Sequence, residues 1–382
     1  MECLLCSPLA KYSYGNYSEL IIIEIQKPNI STIFNNTNAQ WKYVSDRRDH
    51  SATRNGKKIK RFSDKTEKPS SYPKRGEFQP RINRDEQDKL GNLIKKPEEI
   101  DSPGFNGLAG IDEVKLNIRN NFIIPLLLKD TMPTRYQKHM MLYGPPGTGK
   151  TEIAKAMAKD LGFVFYNASL SAISDLSGTH KTSEGVHAIF KHARNQNRPA
   201  IIFIDEADQV ISRRGIKGEF SGDRPAKDAI LTEMEGVSTQ EDDVHVVTAT
   251  NFPDRIDPAF ISRARAIEVG RPDKYARKQI FKSLLPKNRT YADDWDLDKV
   301  VDETDGYTGR EIRDIITVIN NRQFDELSLT LDQDKLIKEL QHLKPEDISM
   351  KQFYDAKEQI PARYDPAVEA SIADFNNNLV TG

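Results

Sequence analysis

Residues 139–151 read His-Met-Met-Leu-Tyr-Gly-Pro-Pro-Gly-Thr-Gly-Lys-Thr, and this stretch decides the fold. Its apolar start predicts a buried strand, and the segment that begins at Glu152 has the composition of a helix. Between them, the Gly-rich segment fits the pattern G-x-x-x-x-G-K-[ST] of a phosphate-binding loop. Glycines allow successive backbone N–H groups to point inward at a helix N-terminus, where they cradle a polyphosphate. The stretch therefore predicts a site for a nucleoside triphosphate.

The loop residues have distinct predicted roles toward the phosphates. We expect Lys150 to reach the β- and γ-phosphates and the Thr151 hydroxyl to be a ligand of Mg²⁺. The residues of this stretch that are expected to hold the nucleoside triphosphate are Gly144, Pro145, Pro146, Gly147, Thr148, Gly149, Lys150 and Thr151.

A second apolar run, at residues 200–204, ends in two acidic residues. Its sequence, Ala-Ile-Ile-Phe-Ile, is typical of a strand buried on both faces. Asp205 and Glu206 follow at its carboxyl end, which is where ligands bind in an open α/β sheet. We expect Asp205 to hold Mg²⁺ and Glu206 to orient and deprotonate an attacking water. The pair predicts hydrolysis and not binding alone.

A third buried strand is predicted at residues 244–250, and Asn251 follows it directly. Its position at the end of a hydrophobic strand predicts a hydrogen bond to the γ-phosphate or to the attacking water. Earlier in the chain, the segment around Gly110 and Ile111 leads toward the first core strand and is expected to pack on the adenine.

Composition and charge limit the number of domains and the kinds of partner that the sequence allows. The 382 residues allow two or three domains, and the net charge of −1 indicates no polyanion partner for the molecule as a whole. The charge is uneven, however, because residues 42–84 carry 14 Lys/Arg against 5 Asp/Glu. This basic arm predicts either an acidic partner, such as nucleic acid, microtubules or an anionic membrane, or a solvated linker without a dedicated partner.

Cysteine use and hydropathy predict a cytoplasmic or nuclear protein. The only cysteines are Cys3 and Cys6, so no disulfide framework is possible and a reducing compartment is expected. Neither a signal peptide nor a transmembrane segment is evident. The apolar run at residues 20–25 is far shorter than the roughly 20 residues that a membrane helix needs.

Four motifs occur in the order that is typical of AAA ATPases. They are Gly-Pro-Pro-Gly-Thr-Gly-Lys-Thr at 144–151 (Walker A), Ile-Phe-Ile-Asp-Glu-Ala-Asp at 202–208 (Walker B), Ala-Thr-Asn-Phe-Pro-Asp-Arg-Ile-Asp-Pro-Ala at 249–259 and Gly-Tyr-Thr-Gly at 306–309. Residues from about 105 to 360 therefore resemble this family, in particular members with a single ATPase module such as the spastin, katanin, fidgetin-like and proteasomal ATPases.

The resemblance implies a fold, an assembly and a division of the chain. The fold is α/β, with a five-stranded parallel sheet in the order 5-1-4-3-2 and a small C-terminal helical domain. The assembly is a homo-oligomer, a hexameric ring with ATP between subunits, that remodels a protein substrate. We expect an N-terminal segment of unknown fold at 1–41, a flexible basic linker at 42–104, a large ATPase domain at 105–270, and the small domain with C-terminal helices at 271–382.

The resemblance also assigns residues around the nucleotide. An arginine from the neighbouring subunit completes each site in this family, and the candidates here are Arg263 and Arg265, between which the shortened loop does not decide. Gly309 lies where the small domain packs over the nucleotide. Arg310 stands where many members have Ala, so it is either an extra phosphate contact or a salt-bridged surface residue. The Ser-Arg-Arg segment at 212–214 is expected to face the next subunit, and Asn167 to restrain Glu206.

The central loop departs from the family pattern. Members that thread polypeptide have an aromatic residue there, whereas this chain has Leu176, with Phe220 in the second inner loop as a substitute. Leu176 is expected to grip a chain with less apolar area than an aromatic ring. The alternative to a remodelling enzyme is a scaffold whose assembly ATP regulates and whose basic arm recruits it to microtubules, nucleic acid or membrane.

Overall fold

The structure is a computed structural model that describes residues 84–128, 137–177, 182–213, 224–236, 243–330 and 346–381. All of them belong to one compact unit, Glu77–Gly382. The predicted N-terminal segment 1–41 and the linker up to residue 83 lie outside the described residues.

Six strands form a single sheet, in which five strands run parallel. The strands are β1 (Ile94–Lys95), β2 (His139–Tyr143), β3 (Val164–Asn167), β4 (Ala200–Ile204), β5 (Val244–Thr250) and β6 (Ala264–Glu268). Their order is β1-β3-β4-β5-β2-β6, and only the β1–β3 pair is antiparallel. Counted from β2, the parallel strands have the predicted order 5-1-4-3-2. The predicted fold class is confirmed, with one additional edge strand.

Helices cover both faces of the sheet, and further helices follow its last strand in the chain. The α-helices are α1 (Arg84–Leu93), α2 (Gly104–Gly107), α3 (Asp112–Ile118), α4 (Ile124–Leu127), α5 (Lys150–Leu161), α6 (Leu170–Ser177), α7 (Thr182–Arg194), α8 (Ala207–Val210), α9 (Arg224–Gly236), α10 (Pro258–Ile261), α11 (Lys274–Leu284), α12 (Leu297–Glu303), α13 (Gly309–Thr330), α14 (Met350–Gln359) and α15 (Pro366–Thr381). Single 3₁₀ turns occur at Pro97–Glu99 and Pro253–Arg255, and a π-helical turn (Arg119–Ile123) joins α3 to α4.

The central strands are apolar throughout because both of their faces are buried. Successive residues of β4 alternate between two core clusters: Ile202 and Ile204 face one cluster, and Ile201 and Phe203 face the other. The helix α5 packs on the second face, whereas α7 and α9 pack on the first. This arrangement holds the carboxyl ends of β2, β4 and β5 side by side.

Residues 84–104, which the sequence analysis assigned to the flexible linker, are instead part of the folded unit. Leu90 and Ile100 are buried, and the ammonium of Lys89 donates to the carbonyl of Asp175 at 2.8 Å. The short strand β1 covers the edge of the sheet by pairing with β3. Sequence patterns missed this segment because a two-residue strand and isolated apolar residues produce no periodic signal.

A third core cluster lies in the small helical domain, which contains α11 to α14. Its buried residues include Phe281, Ile315 and Ile319. The last helix, α15, leaves this cluster and packs on the large domain through Val368, Ile372 and Phe375. Within the described ranges, none of the helices combines the length and the hydrophobicity needed to cross a bilayer.

Candidate active site

The phosphate loop links the buried end of β2 to the first turn of α5. Gly144, Gly147 and Gly149 have φ values of +147°, +81° and +98°, which residues with a side chain rarely adopt. A Cβ atom on Gly144 would lie 2.2 Å from the carbonyl oxygen of Val269, which follows β6. Because the space for a side chain is absent, glycine is required where the loop leaves the strand.

Lys150 lies buried at the centre of this loop. Its ammonium donates to the carbonyls of Gly144 and Pro145 at 2.8 and 2.7 Å and to Oδ1 of Asn251 at 2.8 Å. Burial lowers the pKa of Lys150 to about 8, although the negative charge of Asp205 opposes this shift. The predicted lysine and the predicted sensor from β5 are therefore in direct contact.

Thr151 and Asp205 form the second contact of the site. The hydroxyl of Thr151 donates to Oδ2 of Asp205 at 2.9 Å, and the backbone N–H of Glu206 donates to Oδ1 of Asp205 at 3.0 Å. A hydroxyl and a carboxylate beside a phosphate-binding loop are the oxygen ligands that Mg²⁺ prefers. The two residues predicted to hold the metal are thus adjacent in the fold.

Glu206 has a strained backbone. It lies in the left-handed region, with φ of 49° and ψ of 47°, and in the part of the chain that the structure describes it is the sole residue other than glycine with positive φ. Such strain persists where the surrounding structure enforces it and occurs most often at functional sites. The Glu206 side chain is exposed and accepts a hydrogen bond from Nε2 of Gln209 at 2.7 Å.

Asn167, predicted to restrain Glu206, is exposed at the end of β3. Over the described ranges, no hydrogen bond joins Asn167 to Glu206, and the amide that contacts Glu206 is that of Gln209. The predicted restraint is therefore not formed in this structure.

The small domain contacts the phosphate loop through the start of α13. The backbone N–H of Arg310 donates to the carbonyl of Gly147 at 3.1 Å. A Cβ atom on Gly147 would lie 2.9 Å from Cβ of Arg310 and 2.9 Å from the hydroxyl oxygen of Thr308. Two helix N-termini, those of α5 and α13, therefore meet at this loop. The roles of Gly309 and Arg310 toward the nucleotide stay predictions.

The Gly110–Ile111 segment lies against the same small domain. A Cβ atom on Gly110, whose φ is +73°, would lie 2.8 Å from both the carbonyl oxygen of Ala276 and Cγ1 of Ile280. Cδ1 of Ile280 also lies 3.9 Å from the position of a Cβ on Gly309. Ile280 therefore links the predicted adenine segment to the start of α13.

Arg263 and Arg265 lie near the amino end of β6, away from the phosphate loop of their own chain. The guanidinium of Arg263 donates to Glu235 and to the carbonyl of Ala259, whereas Arg265 is exposed on the strand. In the parallel β2–β6 pair, Arg265 is opposite Met140, and Tyr143, which precedes the loop, is opposite Glu268. The candidate arginines and the loop thus occupy opposite ends of neighbouring strands.

The prediction that Leu176 grips a substrate is contradicted by the structure. Leu176 lies on α6 with 8% of its surface exposed, and it packs in the core cluster that contains Ile173. The helical spacing of these two residues directs both side chains inward. Arg214 and Phe220 lie outside the described residues. Arg213 donates to the carbonyl of Asp254 at 3.4 Å.

Several residues around the site were not assigned a role from the sequence. The hydroxyl of Thr250 donates to Asp208 at 2.6 Å, which ties the end of β5 to the turn after β4. Gln209 and Ile280 were missed because they lack a motif of their own. Asp208 lies inside the motif at 202–208, and this position could have identified it as a residue of the site.

Comparison with known proteins relates this site to a family. Residues 140–271 match the model of the ATPase family associated with various cellular activities (AAA). Fidgetin-like protein 1 of Rattus norvegicus is 35% identical over 212 residues, which cover 54% of this chain and 31% of that protein. The katanin p60 ATPase-containing subunit A1 of Strongylocentrotus purpuratus is 36% identical over 218 residues, which cover 54% of this chain and 42% of that protein.

The fold extends the similarity beyond the matched sequence. The crystal structure of the FIGL-1 AAA domain in complex with ADP superposes with a TM-score of 0.61 at 26% identity, and the match covers 76% of this chain and 96% of that chain. The present chain spans less than half the length of the two relatives described above.

Proposed function

The chain contains an ATPase domain of the AAA family, and we propose that it hydrolyses ATP to ADP and phosphate within an oligomer of its own copies. The oligomer, a hexameric ring by analogy with the family, converts this cycle into remodelling of a protein substrate or complex. The observation that carries the proposal is that Lys150 contacts Asn251 while Thr151 contacts Asp205, so that the ends of three strands meet at one loop.

The residues divide the reaction among themselves. The N–H groups of the loop and the ammonium of Lys150 bind the phosphates, and Lys150 exchanges its carbonyl partners for phosphate oxygens. Thr151 and Asp205 would hold Mg²⁺, which neutralises phosphate charge when it is bound. Asn251 orients the γ-phosphate or the water, and Glu206 accepts a proton from that water as it attacks.

A second copy of the chain is part of the proposal because none of the residues named above is an arginine. Charge accumulates on the transferring phosphoryl group, and a guanidinium stabilises it bidentately. Arg263 and Arg265 are remote from the loop of their own chain along the β2–β6 pair. In this proposal, as the family resemblance implies, an arginine of the neighbouring copy completes the site, and hydrolysis depends on assembly.

The proposal is tested by nucleotide binding and turnover in matched variants. We expect Lys150→Ala to lose ADP binding by on the order of 10²-fold or more, because buried charge-assisted hydrogen bonds are removed. Lys155→Ala is the control, since Lys155 lies on the same helix and its ammonium pairs with Glu152 at 2.9 Å. Unchanged ADP affinity in Lys150→Ala would contradict the proposal.

A second variant separates hydrolysis from binding. Glu206→Gln is expected to bind ATP normally but to turn over roughly 10²–10⁴-fold more slowly, which is the usual contribution of a general base. ATP binding and phosphate release are measured on the same preparation. If Glu206→Gln hydrolysed ATP at the rate of the unmodified chain, the assigned role of this carboxylate would be wrong.

A further inference from the structure

The last helix, α15, contacts two of the strand ends around the active site and the turn after a third. The hydroxyl of Ser371 donates to Asp254, in the 3₁₀ turn after β5, and Nδ2 of Asn376 donates to Glu268 at the end of β6 at 3.0 Å. The hydroxyl of Tyr143, at the end of β2, donates to Oδ1 of Asn376 at 2.8 Å. One side-chain amide thus joins two neighbouring strands at the edge that carries the phosphate loop.

The two partners of Asn376 are held side by side by the sheet. Tyr143 and Glu268 are register partners in the parallel β2–β6 pair, so their side chains emerge together. The ring of Tyr143 packs edge-on against Phe375 of α15, with ring centroids 4.9 Å apart. An amide matches this pair because its carbonyl accepts from the phenol while its NH₂ group donates to the carboxylate.

The bridge is directly connected to the loop. Tyr143 precedes Gly144, and the carbonyl of Tyr143 accepts from the N–H of Val269 at 2.7 Å. Gly144 lies close to the residue that follows β6, since a Cβ on Gly144 would lie 2.2 Å from the carbonyl oxygen of Val269. The Gly144 carbonyl in turn accepts from Lys150 at 2.8 Å. A shift between the ends of β2 and β6 would therefore displace the lysine that binds phosphate.

We propose that Asn376 is a positioning residue: it clamps Tyr143 to Glu268 and thereby fixes the phosphate loop for nucleotide binding. This inference rests on the proposed function, because it concerns the same nucleotide site. Asn376 touches no reacting atom and acts through Tyr143 and Gly144. Its predicted effect is consequently on nucleotide affinity and not on the fold.

A donor–acceptor exchange tests the clamp. Asn376→Asp keeps the size of the side chain but replaces the donor to Glu268 by a second carboxylate, so that the two groups repel each other. We expect the affinity for ADP to fall and the KM for ATP to rise, each by on the order of tenfold, which is the range for a lost charge-assisted hydrogen bond. Adding Glu268→Gln restores a donor facing an acceptor, and the double variant is expected to recover most of the affinity.

One control variant and one further test variant make the experiment specific for the clamp. Ala373→Asp adds a carboxylate at an exposed position of the same helix, and it is expected to leave ADP affinity unchanged. Tyr143→Phe removes the phenol donor while keeping the ring against Phe375, and it is expected to weaken ADP binding several-fold. The thermal midpoint is recorded for each variant, because a merely structural role would lower the midpoint without changing affinity measured well below it.

The possible outcomes separate this inference from the proposed function. If Asn376→Asp bound ADP as tightly as the unmodified chain, or if Glu268→Gln failed to rescue it, the clamp would be overturned while the Lys150→Ala result still stood. If Lys150→Ala also bound ADP normally, the nucleotide site itself would be wrong.

Discussion

The two ends of the parallel sheet differ in how far a single chain completes them. At the carboxyl end, Lys150 hydrogen-bonds to Asn251 and Thr151 hydrogen-bonds to Asp205, so that residues following three strands meet. Near the amino end of β6, Arg265 is exposed, and the ion pair of Arg263 with Glu235 lies at the surface. Surface pairs of this kind contribute little stability, so they release an arginine at little cost.

This difference indicates where a neighbouring copy must act. Arg265 is opposite Met140, three residues before the end of β2, and a strand rises about 3.3 Å per residue. The separation along the strand is therefore about 10 Å before any loop is added. The groups that bind phosphate meet within one chain, whereas the candidate arginines lie toward the other end of the neighbouring strand.

The largest expected effects are on turnover and on nucleotide binding, and they distinguish the arginines near the amino end of β6 from the phosphate-binding residues at the carboxyl end of the sheet. Arg263→Ala/Arg265→Ala should leave ADP affinity close to normal but reduce turnover by roughly 10³–10⁵-fold, the contribution of an arginine finger. Lys150→Ala should instead weaken ADP binding by on the order of 10²-fold or more. The single arginine variants then identify the finger. A loss of ADP affinity in the double arginine variant would contradict the comparison, since the arginines would then serve the same end.

A pH titration sharpens the description of the carboxyl end. Burial lowers the pKa of Lys150 to about 8 in the nucleotide-free chain, and bound phosphate raises it again by favouring the charged form. ADP binding should therefore take up protons, and affinity should fall as the pH rises above about 8, approaching tenfold per pH unit. Calorimetry in two buffers of different ionisation enthalpy measures the uptake. Constant affinity from pH 7 to 9 would show that Lys150 stays charged.

A substitution at Leu176 tests whether this side chain belongs to the core or contacts a substrate. Because Leu176 is 8% exposed and belongs to the core, Leu176→Ala should lower the free energy of unfolding by about 2–4 kcal/mol. Ser174→Ala, at an exposed position on the same helix, should change it by less than about 0.5 kcal/mol. Urea denaturation measures both variants. An unchanged stability combined with a loss of substrate-dependent activity would restore the role of Leu176 as an outward grip.

The smallest expected effect concerns backbone strain at the carboxyl end. Glu206→Gly should raise the free energy of unfolding by roughly 0.5–1 kcal/mol, because glycine adopts the left-handed conformation without the penalty that other residues pay. Glu206→Gln keeps the strain and should leave stability unchanged. Both variants should lack normal turnover. A glycine variant less stable than the glutamine variant would show that the strain is relieved elsewhere.

The sequence predicted what depends on strong local patterns and missed what depends on tertiary contacts. Apolar runs predicted the individual strands β2, β4 and β5, and the order of the parallel strands was predicted from the family resemblance that the four ordered motifs carry. The antiparallel strand at Ile94–Lys95 was missed, since two residues carry no periodicity. Leu176 was placed by family position, and its core packing became evident only from the fold. The amide of Asn376 meets Tyr143, 233 positions away, which no local pattern predicts.

The central claim is that one copy supplies the phosphate-binding end and a second copy supplies the arginine. It is tested most directly by mixing two inactive proteins, Arg263→Ala/Arg265→Ala and Glu206→Gln, and by following a single turnover of ATP. The first retains its carboxylate and the second retains its arginines, so mixed assemblies contain complete sites. Hydrolysis is predicted to reappear on mixing and to disappear on dilution. Mixtures as inactive as each variant alone would contradict the account.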